Sequence, residues 1–352
     1  MAGNIFGRIF RITTFGESHG KAVGVIVDGV PSLIELDESD IQLDLNRRRP
    51  GQSSITTSRA EEDKVEILSG IFEGKTTGTP VAMLVYNKDQ RSKDYDDIKD
   101  LFRPGHADYT YFKKYGIRDY RGGGRASSRE TIGRVCGGAI AKKILKQLNI
   151  NIIGYVKQIG NIKAENYDFG EIENNPVRCP DIKKAKEMFD YVLAIKEKGD
   201  SIGGIVEVVI KNVPPGVGEP VFDRLNAEIS KAIMSIPAVK GIQFGVGFDC
   251  VNKLGSELHD ELTEEGFATN NAGGTLGGLS SGQDIVFSFV VKPPSSILIP
   301  RRTIDVYGKE REISTKGRHD PCVAPRVVPV AEAMTAIVVV DMLMIHKARK
   351  IL

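Results

Sequence analysis

TTFGESHGKAVGVIVDGVP, residues 13–31, decides between two architectures. Gly16-Glu17-Ser18-His19-Gly20 fits G-x-S-x-G, the nucleophile elbow in which a serine sits between a strand and a helix. A strand does precede it. The segment after Gly20 carries two glycines, four valines, an isoleucine and a proline, and reads as a second strand. The 17 residues before Ser18 also leave no room for the earlier strand–helix loop that completes an oxyanion hole in that fold. The hydrolase reading fails on context. A β turn with His19 at its tip remains.

Outward from this turn, IFGRIFRITTF (5–15) and VGVIVDGVP (23–31) read as strands. DESDIQLDLNRR (37–48) reads as a short helix capped by Asp37 or Ser39. Residues 88–124 are polar and show no helical or strand period, and a long irregular stretch of this kind points to function. From Ser128 the positions Ile132, Val135, Cys136, Ala139, Ile140, Ile144 and Leu148 mark one helix face, with Ser127 and Glu130 as a capping box. GGIVEVVIKNVPPG (203–216) reads as strand and turn, FDRLNAEISKAIMSI (222–236) as helix, IVFSFVVKPP (285–294) as strand, and residues 330–350 as a closing apolar helix. Residues 23–51 and 205–241 share the order strand, turn, acidic cap, helix, Gly exit. Internal duplication and the commonness of that unit explain this equally well. No Pro/Gly/Ser-rich linker separates the halves, so residues 1–352 are expected as one domain of two related layers.

Bulk properties narrow the function. The chain has 352 residues, 41% hydrophobic and 27% charged, values of a globular protein. A net charge of +2 suggests neither nucleic acid nor an acidic membrane surface as partner. Cys136, Cys179, Cys250 and Cys322 are far apart and form no C-x-x-C, so no zinc site or disulfide framework is indicated. Residues 1–30 lack a signal-peptide pattern and no segment reads as a membrane span, so a cytoplasmic protein is expected.

His19 alone stands equally as a solvated loop histidine or a catalytic one. FRPGHADYTYFKKYG (102–116) tips the balance, since His106 has the same kind of setting: a Pro-Gly turn, Arg103 upstream, Asp108 downstream. Histidine titrates nearest neutrality, so two of them in arginine-rich loops suit proton transfer. His259 and His346 read as structural or solvated, and His319 is undecided. Arg47 to Arg49 precede Pro50-Gly51, and RGGGRASSR (121–129) runs into a helix start, where free N–H groups and the dipole bind phosphate. A phosphorylated small molecule is implied. GIFEGKTTG (70–78) has one residue too few for a Walker A loop and reads as a turn between strands. No Rossmann fingerprint is present, and one RGGGR is weak evidence for nucleic acid.

GESHG, RRRPG (47–51), the block from Asp89 to Val135 and GRHDPCVAPRVVPVAEAMTAIVVVD (317–341) together resemble the chorismate synthase family nearly end to end. The resemblance implies an α+β fold, a single-domain β-α-β sandwich of two antiparallel sheets and helices, assembled as a homotetramer. It implies an anti-1,4-elimination of phosphate from 5-enolpyruvylshikimate 3-phosphate that needs reduced FMN without net redox change. By the same resemblance His19 meets the departing phosphate, with Ser18 as a relay; His106 stands at the flavin and Asp320 takes up the proton. Arg48, Arg103, Arg129 and Ser127 bind the substrate anion. Arg125, Ala126, Ser127, Pro237, Ala238, Gly277, Lys292, Pro293, Pro294, Ser295, Ser296 and Arg318 contact the flavin. Ser54 stands where many members carry an arginine. RGGGRASSRE exchanges small residues relative to the commoner RGGGRSSARE. The absence of a large insertion argues against an intrinsic NADPH-dependent flavin reductase, so a separate reductase is expected as partner.

Overall fold

Alternate valines build the first sheet. In β3 (Ala22–Asp28) Val23, Val25 and Val27 are buried while Ile26 is exposed, as a strand with one covered face requires. The computed structural model describes residues 3–57, 61–88, 98–315 and 319–349. The other strands of this sheet are β1 (Ile5–Phe6), β2 (Arg11–Gly16), β4 (Val65–Ile67) and β7 (Val81–Tyr86), in the order β1-β2-β3-β7-β4. Between β4 and β7 lies a hairpin of β5 (Ile71–Phe72) and β6 (Lys75–Thr76), with Glu73 and Gly74 at φ 48° and 72°. This is the GIFEGKTTG segment, a turn between strands and not a phosphate loop.

The second sheet contains β8 (Asn151–Ile159), β9 (Ile162–Lys163), β10 (Gly204–Lys211), β11 (Val239–Phe244) and β16 (Ile285–Val291), in the order β11-β16-β10-β8-β9. Two hairpins, β12–β13 (Leu262–Thr263, Gly266–Phe267) and β14–β15 (Thr275–Leu276, Leu279–Ser280), interrupt it, and β17–β18 (Arg301–Ile304, Glu310–Ile313) comes after it. Every described strand pair is antiparallel. The helices are α1 (Glu38–Arg48), α2 (Asp108–Tyr115), α3 (Thr131–Gln147), α4 (Ile182–Glu197), α5 (Leu225–Met234), α6 (Gly255–Leu258) and α7 (Ala324–Ala348). α3 packs on β2 and β3, α7 packs on β8 and β10, and the two helices lie against each other. Sheet, helices, sheet is the resulting order of layers, and the α+β sandwich expected from the sequence is observed.

The repeat has a counterpart in topology. With the 16-residue α4 between β9 and β10 and the shorter insertions set aside, one half runs β2-β3-α1-β4-β7-α3 and the other β8-β10-α5-β11-β16-α7. In each, the strand after the first helix takes the sheet edge and the next strand inserts beside the central one. Shared connectivity favours duplication over coincidence.

Close helix contact depends on glycine. A Cβ on Gly138 of α3 would lie 2.3 Å from Cβ and 2.4 Å from Cα of Ala333 in α7. Gly138→Ala is therefore expected to force the helices apart, at about 1–3 kcal/mol. A thermal melt reads this, and an unchanged Tm would show that the helices separate freely.

Five expectations need correction. Residues 88–124 include α2, whose one buried residue is Asp108, so no apolar stripe announced it. The start of α3 is not a capping box: Ser127 accepts from the Arg129 N–H of a 3-10 turn, while the Glu130 carboxylate bonds Arg134. Leu148 lies beyond the end of α3 and is exposed. α7 begins at Ala324, six residues before the expected start, with Pro325 in its first turn and Pro329 inside. Its 25 residues are long and apolar enough to cross a membrane, contrary to expectation, but nearly all are buried between the two sheets. That burial accounts for the apolarity.

Candidate active site

The FRPGH segment is held from both sides. Arg103 forks onto Asp108, with Nε and Nη2 donating to the carboxylate at 2.8 Å each. Burial acts to raise the Asp108 pKa, but Arg103 outweighs it and holds the carboxyl below its usual range. Phe102 meets Tyr109 edge-on at 5.4 Å. From the other side, Lys292 Nζ and Ser295 Oγ donate to the Gly105 carbonyl at 3.1 and 2.9 Å. Gly105 has φ 71°, and a Cβ there would lie 2.7 Å from Ser295 Oγ.

His106 is locked in one tautomer. Nδ1 lies 3.0 Å from the Pro104 carbonyl, which only accepts, so Nδ1 carries the hydrogen. Nε2 then accepts from Ser296 Oγ at 2.8 Å. Burial, followed by the charge of Arg103, pushes the imidazole down to about 4, so it is neutral near pH 7.

His19 lies in the turn between β2 and β3, half-buried. Ser18 is buried and its Oγ lies 3.0 Å from His19 Nδ1. The ring rests against Gly122, where a Cβ would sit 2.3 Å from Nδ1. Arg103 Nη2 reaches the Gly122 carbonyl at 3.4 Å, so the two histidine loops meet at this glycine. Gly122→Ala is expected to displace the His19 ring and lower turnover by about 100-fold. Wild-type turnover in that variant would remove His19 from the chemistry.

Between the layers lies a cavity of about 280 Å³. Ile236, Val323, Val327 and Val330 give it an apolar wall, and Ala238 stands there at φ 74°, a conformation uncommon for a residue with a side chain. His106, Ser296, Lys292, Arg48 and Arg326 supply the polar rim. Burial, helped by Lys240, lowers the Lys292 pKa. Arg326 pairs with Asp320, whose other oxygen accepts the Thr57 N–H at 2.9 Å. A flat, aromatic, anionic group fits this donor set: apolar faces for the ring, cations and hydroxyls for its edge.

A family model described as chorismate synthase matches residues 10–344. The chain belongs to the chorismate synthase family. A solved structure entitled "Crystal Structure of Chorismate Synthase" is 33% identical, with a TM-score of 0.77, and the match covers 97% of this chain and 93% of that one. The protein is thus a chorismate synthase, a carbon–oxygen lyase acting on a phosphate, which forms chorismate in the shikimate pathway for aromatic amino-acid biosynthesis.

Against that family's pattern, the structure gathers His106, Arg48, Ala126, Pro237, Ala238, Lys292, Pro294, Ser295 and Ser296 around one cavity. Pro293 lies beside Gly203, and Ser127 caps the turn before α3. Gly277 sits in the β14–β15 turn and is not among the cavity residues. Arg318 lies outside the described residues.

Several arginines read as anion or flavin ligands are committed to internal partners. Arg125 bonds the Gly16 and Thr14 carbonyls and Asn4. Arg129 is buried against Asp63 and Asn87. Arg48 donates to Asp63, Ser128 and Thr131, yet still lines the cavity, and burial pushes its guanidinium down to about 10. Sequence reasoning missed Arg326, Asp63 and Asn87. Arg326 alone had a signal, its place in the GRHDPCVAPR block after Asp320 and before the apolar helix.

Proposed function

We propose that the chain converts 5-enolpyruvylshikimate 3-phosphate to chorismate with reduced FMN held in the 280 Å³ cavity. The observation that carries the reading is the meeting of His106, Ser296, Pro237-Ala238 and Arg326 around that one space, with Asp320 bound to Arg326 behind it. Ala126, Lys292, Pro294 and Ser295 would hold the ring with them. Held there, the reduced flavin would supply reversible electron donation to the substrate.

The protein's own part is proton handling and charge. His19, oriented by Ser18, protonates the leaving phosphate, whose second pKa of about 6 makes the exchange easy near neutrality. Neutral His106, its Nδ1 hydrogen on the Pro104 carbonyl and its Nε2 on the Ser296 hydroxyl, would bear on the cofactor's protonation through that hydroxyl. Asp320, held by Arg326, receives the proton. Arg48, on the cavity rim, offsets the substrate's charge.

The remaining features agree with the same reading. A homotetramer would cover the apolar surface of Phe222, Phe248, Val251 and Leu254, which are 71–90% exposed. Four free cysteines, three of them buried, suit a reducing cytoplasm. Reduced flavin comes from a separate reductase in this proposal, and no nucleic acid or membrane takes part.

Anaerobic incubation with the phosphorylated substrate and chemically reduced FMN tests the reading. Equal release of chorismate and phosphate, absent with oxidised FMN, is expected. Activity restored to oxidised FMN by NADPH would reveal a built-in reductase. No product from folded, flavin-loaded protein would overturn the assignment.

A further inference from the structure

We propose that Asn87 is a positioning residue for His19, and that Arg129 and Asp63 tie it to Arg48 of the cavity. The proposal rests on the catalytic role proposed for His19. Asn87 directly follows β7. Its Nδ2 donates to the carbonyls of Glu17 and Gly20, at 3.0 and 2.8 Å, one on each side of Ser18-His19. Its backbone N–H bonds Lys21 O at 3.1 Å, and the Gly20 N–H closes the turn onto Glu17 O at 3.1 Å.

The amide has one possible orientation. Arg129 Nε, a donor, meets Oδ1, while the two turn carbonyls only accept. Arg129 Nη1 continues to Asp63 Oδ1 at 2.9 Å, and Asp63 Oδ2 accepts from Arg48 Nη1 at 3.1 Å. Asp63 is buried and takes φ 48°, a left-handed conformation held by these two arginines. The His19 turn and the cavity arginine thereby belong to one hydrogen-bonded chain of side chains. Arg129 serves inside that chain and not as an anion ligand.

Asn87→Asp is the sharpest test, because it keeps shape and strengthens the pairing to Arg129. It also sets a carboxylate oxygen against two carbonyl oxygens. In that variant kcat is expected to fall about 10–100-fold with KM within about threefold. Amide exchange at Gly20 is expected to rise at least about tenfold while α3 and α7 stay protected. In a His19→Ala background the same substitution should cost no further turnover, the signature of a residue acting through the histidine.

Asn87→Ser, which removes the clamp without repulsion, should show the same pattern more weakly if the aspartate variant folds poorly. Wild-type kcat in the aspartate variant, or a loss that multiplies with His19→Ala, would overturn the proposal. So would unchanged exchange in the turn, whether or not the wild-type protein forms chorismate. Failure of the clamp is thus separable from failure of the proposed reaction.

Discussion

His106→Ala is expected to lower turnover by about 100- to 10,000-fold while the protein still folds, the range spanned by loss of a positioned proton-transfer group. The substitution removes the bonds to Pro104 and Ser296 but leaves the Lys292 and Ser295 contacts that hold the loop through Gly105. Circular dichroism and a thermal melt check the fold; an anaerobic assay checks the rate. The neutral imidazole makes a second claim on pH. Its pKa of about 4 lies below the ordinary 6.5, so kcat/KM should show no limb from this group near 6.5 and an acid limb near 4. That limb should vanish in His106→Asn. An acid limb at 6.5 that disappears with His106 would mean the ring is solvated in the working enzyme. Full turnover in His106→Ala would remove it from the mechanism.

Glu332→Ala is expected to be the most destabilising of the substitutions considered. Glu332 lies buried in α7 and accepts from Arg47 of α1, Lys142 of α3 at 2.7 Å and the Gly154 N–H of β8 at 3.1 Å. One carboxylate therefore joins two helices and a sheet to the central helix. Burial acts to raise its pKa, but Lys142 and Arg47 overcome this and bring it down to about 2. Removing it leaves two half-buried cations short of a counter-charge and the Gly154 N–H without its acceptor, at a cost of about 3–5 kcal/mol, seen as a Tm lower by roughly 5–10 °C. The pH dependence has a definite sign. A folded pKa below the ordinary 4.5 means the stabilisation is present above that value and is lost as pH falls toward 2. Glu332→Gln should thus flatten acid unfolding between those limits. A wild-type Tm for Glu332→Ala would show the cations to be satisfied by Asp44 and Glu173 alone.

Arg47 and Arg48 show why neighbours in sequence part company in structure. On α1 they point to different surroundings, one to Glu332 and the other to Asp63 and the cavity. Both were legible as basic residues before a Pro-Gly turn, but not as one joining helices and one lining the cavity. Arg103, Arg125 and Arg129 repeat the lesson, since each is committed to internal acceptors. A charge that leaves water needs a partner, and the partner's identity depends on packing between distant segments.

By itself the sequence determined what is local or periodic. The alternating valines of β3, the Asp37 cap of α1 and the inward face of α3 follow from backbone hydrogen bonding and burial. The strand after Gly20 sufficed to reject a hydrolase, and the motif blocks named the family. Tertiary structure decided the long-range matters: that Asp320 accepts from Thr57, 263 residues away, and that Asn87 grips the turn carrying His19. It also decided that α2, with no apolar stripe, is a helix anchored through the Arg103–Asp108 fork. Such pairings form only where separate elements are brought within hydrogen-bond reach and water is excluded, a condition no local pattern encodes.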